Sequence, residues 1–140
     1  MMDWYIEQVF AARTWKLRKE VFSSTGSLSE VMLKGDFEAS HFAAYHENQV
    51  VGVLTLAHSD SDYEIFYFAV HPDFRRKGVG SALLRYAVQF IKTFKGHSLF
   101  VQTDLEYQYF WMQNGFVLVK ESCKLDRFIY SLKEDIIAQR

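Results

Sequence analysis

The chain has 140 residues, of which 49% are hydrophobic, with 16 Lys and Arg against 17 Asp and Glu. This length allows one domain with an apolar core, and a lone cysteine, Cys123, excludes a disulfide-held scaffold. A net charge of −1 excludes a general attraction to nucleic acid or anionic lipid, and no apolar stretch reaches the ~20 residues that cross a bilayer. We therefore expect one cytoplasmic domain over residues 1–140, with no nucleic-acid or membrane partner.

The first half of the chain predicts a short strand and two helices. A strand is predicted over 4–9 and a helix over 10–22, where apolar side chains starting at Phe10 recur at helical spacing. Basic residues of this helix, including Arg18, lie off the apolar stripe, so a solvated face is expected for them. A second short helix is predicted over 29–34.

Three predicted strands follow, over 41–46, 50–58 and 63–70. The turn Glu47-Asn48-Gln49 joins the first two strands as an antiparallel hairpin. The third strand is apolar on both faces, which predicts a central place in the sheet.

The second half of the chain predicts a strong helix after Gly80, then a strand over 98–103 and a short helix over 105–113. The final two strands are predicted over 116–121 and 127–132. The long helix carries an apolar stripe formed by Leu83, Leu84, Ala87, Val88 and Ile91. This order predicts a mixed α/β fold, with a mostly antiparallel central sheet of six to seven strands and about four helices. The strands that flank the long helix should be parallel.

The segment that carries chemistry leads from the central strand through a basic, glycine-containing loop into the long helix. The first N–H groups of a helix lack intrahelical partners, and the helix dipole adds partial positive charge there. Gly78 and Gly80 permit close backbone approach, and Arg75, Arg76 and Lys77 add three cations. The sequence therefore predicts an anion site suited to a diphosphate.

Two common diphosphate motifs do not fit this loop. A P-loop has a lysine directly after its second glycine, where this chain has Ser81. A dinucleotide fingerprint has a third glycine where this chain has Leu83, and it opens the first βαβ unit of a domain. A dinucleotide-binding redox domain remains only as the weakest alternative.

The pattern Arg75-x-x-Gly78-x-Gly80 between a strand and a helix resembles the signature of the GNAT superfamily of N-acetyltransferases. The segment Asn114-Gly115-Phe116 is similar to the Gly-Phe that this family has before its penultimate strand, and the element order agrees over most of the chain. The resemblance implies the GNAT fold, with acetyl-coenzyme A as co-substrate and a primary amine of a small molecule or peptide as acceptor.

A weaker similarity lies in the first half of the chain. The segment Leu17–Phe22, followed by Asp36 and His41, is similar to a subgroup of small bacterial GNAT proteins. This similarity does not name the acceptor.

The resemblance also implies which residues hold coenzyme A. The pyrophosphate would lie on the loop amides, which belong to Arg76, Lys77, Gly78, Val79, Gly80 and Ser81. Arg75 occupies the Gln/Arg position of the family. The pantetheine arm would pair with the main chain of Phe68 and Val70, and Trp111 would stand at the cofactor where the family often has tyrosine. No metal site is expected, because the five histidines form no ligand-like pair.

Three residues are implied in catalysis. Glu64 matches the general base of one GNAT branch and would remove a proton from the acceptor amine. The N–H of Phe68 would face the thioester oxygen. The tyrosine that usually protonates the leaving thiolate is replaced by Trp111, whose indole is no practical proton donor. Tyr107 or water would take that role.

These departures from the family pattern leave a second function open, a catalytically weak acyl-CoA-binding sensor module of the same fold. The sequence does not identify the acceptor amine, nor does it exclude acyl groups longer than acetyl. Exposed final strands leave a homodimer open.

Overall fold

In the computed structural model, which describes residues 3–119 and 126–131, seven strands form the core of the fold with three α-helices. The strands are β1 (Tyr5–Val9), β2 (Ser40–His46), β3 (Gln49–Ser59), β4 (Asp62–Val70), β5 (Ser98–Thr103), β6 (Phe116–Val119) and β7 (Asp126–Ser131). The helices are α1 (Ala12–Phe22), α2 (Val79–Thr93) and α3 (Gln108–Gln113). Short 3-10 helices occupy Leu28–Glu30, Lys34–Phe37, Pro72–Phe74 and Leu105–Tyr107.

The strands form one mixed sheet in the order β1-β2-β3-β4-β5-β7-β6. β4 and β5 are parallel, and their register runs from Asp62 opposite Ser98 to Glu64 opposite Phe100. The pairs β1–β2, β2–β3, β5–β7 and β6–β7 are antiparallel. The predicted mixed α/β fold, the hairpin and the central strand are therefore confirmed.

The chain divides into two compact units. The first unit contains Met1–Ala57 and Phe66–Ala87, and the second contains His58–Ile65 and Val88–Arg140. β4 and α2 each contribute residues to both units.

In the first unit, α1 and the start of α2 cover opposite faces of the sheet. Leu17 of α1 packs with Val53 of β3, whereas the neighbouring Gly52 faces Val79 and Leu83 of α2. Adjacent residues of a strand point to opposite faces, which explains this division. A Cβ at position 52 would lie only 2.8 Å from Cγ1 of Val79. The glycine thus lets the first turn of α2 approach β3 closely.

The apolar stripe predicted for the long helix is confirmed in α2. Its five members are buried: Leu83, Leu84, Ala87, Val88 and Ile91. No helix within residues 3–119 and 126–131 is both long enough and apolar enough to cross a membrane.

In the second unit, aromatic rings organise the segment between α3 and β7. Trp111 packs edge-to-face on Phe116 at 5.0 Å between ring centroids, and Phe116 packs on Tyr130 at 5.5 Å. α3 ends at Gln113, and Gly115 follows with a φ of 93°, the left-handed conformation that glycine favours after a helix. The predicted end of this helix at Asn114-Gly115 is confirmed.

The first half of the chain departs from the prediction in two places. The helix predicted over 29–34 is replaced by the 3-10 helices Leu28–Glu30 and Lys34–Phe37. Hydroxyl groups of the preceding loop hydrogen-bond the Glu30 carboxylate and compete with regular helix formation. Phe10 precedes α1 and is exposed, so it is no part of the buried helix face.

Other parts of the prediction fall on residues outside the described ranges. These are Cys123, the last two positions of the strand predicted over 116–121, and Leu132 at the end of the final predicted strand.

Candidate functional site

The basic loop lies where the sequence predicts it, between the end of β4 at Val70 and the start of α2 at Val79. Arg76 and Gly78 adopt positive φ values of 62° and 91°. These left-handed residues turn the chain sharply before the helix begins. A side chain at Gly78 would be strained by this φ, and its Cβ would meet the Trp4 ring at 3.8 Å.

Hydrogen bonds within the first unit fix the base of this loop. The N–H of His71 donates to the carbonyl oxygen of Val51 at 2.8 Å, which ties the loop to β3. The His71 ring accepts at Nδ1 from the N–H of Asp73 at 3.1 Å. Nε of Arg75 donates to the carbonyl oxygen of Val70 at 2.9 Å. The loop is thus shaped by the protein itself, and Arg75 contributes to that shape.

The loop presents positive charge and helix-terminal amides together. Arg75, Arg76, Lys77 and Gly78 are exposed, Val79 is buried, and Gly80 and Ser81 are half-buried. The first turn of α2 is uncharged in sequence, and N–H groups at this position have no intrahelical partner. The helix dipole and three neighbouring cations favour an anion at these amides. The arrangement fits the diphosphate that the sequence predicts.

The central strand holds two of the other predicted site residues in the first unit. Phe68 and Val70 are half-buried in the last part of β4. Tyr67, directly before Phe68, has a φ of 45°, which is uncommon for a non-glycine residue in a strand. The sequence gives no sign of this distortion, since an aromatic residue in an apolar run predicts regular extended backbone.

The remaining predicted residues belong to the second unit. Glu64 is half-buried in β4, opposite Phe100 of β5. Tyr107 ends the 3-10 helix before α3 and is 53% exposed, whereas Trp111 is buried and packs edge-to-face on Phe110 at 5.2 Å. Tyr107 and Trp111 are four residues apart, yet their surroundings differ completely, because Tyr107 lies at the N-cap of α3.

A buried polar network in the first unit is a second feature that sequence reasoning missed. Arg18, expected on a solvated helix face, is fully buried. Its guanidinium donates to both carboxylate oxygens of Asp36, at 3.0 and 3.2 Å, and to the hydroxyl of Thr55 at 2.7 Å. Trp15 also donates to Asp36, through Nε1 at 3.0 Å. The similarity carried by Leu17–Phe22, Asp36 and His41 is the one sequence signal that singles out these residues.

The protonation states of this network follow from its contacts. Burial raises the pKa of Asp36, but hydrogen bonds from Arg18, Leu33 and Trp15 outweigh this and hold it below its usual value. Burial lowers the pKa of His41, which keeps the ring neutral. His41 donates from Nε2 to the carbonyl oxygen of Asp36 at 2.7 Å, so its Nδ1 is left to accept. The network is therefore an ion pair with neutral hydrogen-bonding neighbours.

Within residues 3–119 and 126–131, no cluster of three or more His, Cys, Asp or Glu side chains is placed to hold a metal ion.

The chain matches a known protein family at the level of sequence. The sequence model of a family described as "Acetyltransferase (GNAT) family" matches residues 2–116. No curated protein matches the chain.

Solved structures share its fold at low sequence identity. ElaA of Escherichia coli is 16% identical with a TM-score of 0.73, over 92% of this chain and 98% of that one. A GNAT-family acetyltransferase of Staphylococcus aureus Mu50 is 14% identical with a TM-score of 0.74, over 93% and 99% of the two chains. The PaiA N-acetyltransferase of Thermoplasma acidophilum, solved with coenzyme A, is 12% identical with a TM-score of 0.75, over 93% and 99%.

Proposed function

Because the chain belongs to the GNAT acetyltransferase family, we propose that it transfers an acetyl group from acetyl-coenzyme A to a primary amine of a small molecule or peptide. The observation that carries this proposal is the cationic loop at the end of the central strand, with left-handed Arg76 and Gly78 before the N-terminus of α2. Residues 1–140 would act as one cytoplasmic N-acetyltransferase domain without a metal, a nucleic-acid partner or a membrane. A homodimer remains an open arrangement.

The loop would bind the pyrophosphate of acetyl-coenzyme A. The amides of 76–81 would donate to its oxygens, and the side chains of Arg76 and Lys77 would add charge at the exposed rim. Arg75 would act by holding the loop through its bond to the Val70 carbonyl. The pantetheine arm would pair with the main chain of Phe68 and Val70. Trp111 is buried, so it would act by fixing α3.

The chemistry requires a neutral amine, a polarised thioester and a proton for the leaving thiolate. Glu64 would take a proton from the acceptor ammonium, directly or through a water, and free the nitrogen lone pair to attack the thioester carbon. The N–H of Phe68 would donate to the thioester oxygen as negative charge develops on it. The carbon–sulfur bond then breaks, the attacking nitrogen would release its surplus proton to water, and Tyr107 or water would protonate the coenzyme A thiolate. The products are the N-acetylated amine and free coenzyme A.

The binding part of the proposal is tested by thermal unfolding in parallel with acetyl-coenzyme A, coenzyme A, NADH and ATP. A ligand at about 100 times its Kd adds roughly 2.7 kcal/mol of stability, which raises the Tm by several degrees. We expect a shift with the coenzyme A compounds only. Gly80→Trp should abolish this shift without lowering the Tm of the free protein, because an indole would fill the loop. A shift with NADH or ATP alone would contradict the proposal.

The transfer part is tested with a panel of primary amines and a thiol assay for released coenzyme A. Release that depends on both the amine and acetyl-coenzyme A would support an enzyme. Binding of acetyl-coenzyme A without transfer to any amine would instead support the acyl-CoA-binding module. This second function is tested because Trp111, which stands where the family often has a tyrosine, is buried.

A further inference from the structure

The distorted residue Tyr67 lies directly before the peptide that the proposed function places at the thioester. Its φ of 45° belongs to the left-handed region, which costs an L-residue free energy and persists only where the surroundings enforce it. Rotation about its N–Cα bond changes the direction of the next peptide relative to the preceding strand. The conformation of Tyr67 therefore bears on where the Phe68 N–H points.

Two side chains of α1 hold the Tyr67 ring. Cζ of Arg18 lies 4.6 Å from the ring centroid, a cation–π contact, and the ring of Phe22 packs against it at 5.2 Å between centroids. Both neighbours belong to α1, the helix that packs against the sheet through Leu17. Tyr67 is thus fixed by its side chain rather than by the strand alone.

Arg18 is fully buried, and the buried network holds both of its terminal nitrogens. Asp36, Thr55 and the carbonyl oxygen of Val31 accept from its two terminal nitrogens. Its Nε is fully buried and has no hydrogen-bond partner within the described residues. The face of the Tyr67 ring, 4.6 Å from Cζ, gives this desolvated guanidinium a favourable contact in addition to its ion pair with Asp36.

We infer that Arg18 and Tyr67 are positioning residues: the buried network fixes the guanidinium, the guanidinium fixes the Tyr67 ring, and the ring holds the left-handed backbone that aims the Phe68 N–H. This inference rests on the proposed function for its catalytic consequence, since the thioester is the group at which that N–H points. Its structural part, the link between the ring and the backbone, stands on Arg18, Phe22 and Tyr67 alone.

Three variants at position 67 separate positioning from simple packing. Tyr67→Phe keeps the aromatic face and should retain kcat within about twofold. Tyr67→Leu removes the aromatic face and favours extended backbone. Its kcat should fall at least about tenfold, since complete loss of one such donor costs roughly 10²–10³ in kcat. Tyr67→Gly also removes the ring but adopts positive φ without steric cost, so its kcat should exceed that of Tyr67→Leu. A packing role predicts the opposite order, because glycine loses more buried surface than leucine.

Two further measurements keep these outcomes interpretable. The Kd of coenzyme A and the Tm confirm that each variant is folded and binds. The φ at position 67, measured by NMR couplings in the free protein, should stay positive in wild type, Tyr67→Phe and Tyr67→Gly and become negative in Tyr67→Leu. A positive φ and full kcat in Tyr67→Leu would overturn the inference. If the wild type transfers no acetyl group, the proposed function fails, while the φ measurement still decides the link between ring and backbone.

Discussion

Replacing Asp36 by Asn removes the negative charge from the buried network with almost no change in volume. The Asp36 carboxylate accepts from both terminal nitrogens of Arg18, from Nε1 of Trp15 and from the N–H of Leu33. In the variant one oxygen becomes an amide nitrogen that faces donors, and Arg18 stays buried without a counter-charge. Removing one partner of a buried ion pair costs about 3–5 kcal/mol.

At about 4 °C per kcal/mol for a chain of this size, Asp36→Asn should lower the Tm by roughly 12–20 °C at pH 7. Glu38→Gln, an exposed carboxylate two residues away, is the matched control and should stay within about 0.5 kcal/mol of wild type. Differential scanning calorimetry or urea unfolding measures both. Equal losses in the two variants would refute the assignment of Asp36 as the charge that balances Arg18.

The pH dependence gives a second test of the same prediction. The folded-state pKa of Asp36 lies below its ordinary value of 3.8, so the carboxylate contributes stability above that pH. This contribution is lost as the pH falls through the lower folded-state pKa. The stability gap between wild type and Asp36→Asn should therefore be constant from about pH 5 to 8 and narrow below about pH 4. A gap that widens on acidification would contradict the sign.

Three further predictions concern the helix approach, the general base and the loop after α1. Gly52→Ala should cost about 1–3 kcal/mol in urea unfolding and weaken coenzyme A binding, because its Cβ would push Val79 and the first turn of α2 away. Gly35→Ala, which meets no atom within 4 Å, should change neither. Glu64→Gln should lower kcat/KM and move the pH optimum upward; an unchanged pH–rate profile would exclude Glu64 as the base. Hydrogen bonds from the Thr25 and Ser23 hydroxyls lower the pKa of Glu30 to about 2, and a carboxyl NMR titration that gave an ordinary value would contradict this loop geometry.

Local sequence patterns predict the parts of this protein that depend on neighbouring residues. The apolar stripe of α2 follows helical spacing, and the central β4 follows from an apolar run on both faces. The loop motif from Arg75 to Gly80 predicts an anion site, because amides, glycines and cations lie next to one another in sequence. The family and the fold follow from these local features.

Which groups surround a given side chain depends on residues far apart in sequence, so the surroundings follow only from the tertiary structure. Arginine is a residue type that helices usually expose. Arg18 is nevertheless buried, because Asp36 and Thr55, 18 and 37 positions away, accept its hydrogen bonds. Trp111 and Tyr107 have the spacing of one helix face, but the preceding 3-10 helix gives them different exposures.

The backbone at Tyr67 shows the same division most clearly. Its amino-acid type and its apolar neighbours predict extended backbone. The structure instead has a left-handed residue here, and the ring of this residue contacts Arg18 and Phe22 of α1. The sequence alone predicts the fold, the family and the place of the anion site, because those depend on periodicity and adjacency. The buried charge network and the direction of the β4 backbone were decided by the tertiary structure, because desolvation and side-chain packing exist only once distant segments meet.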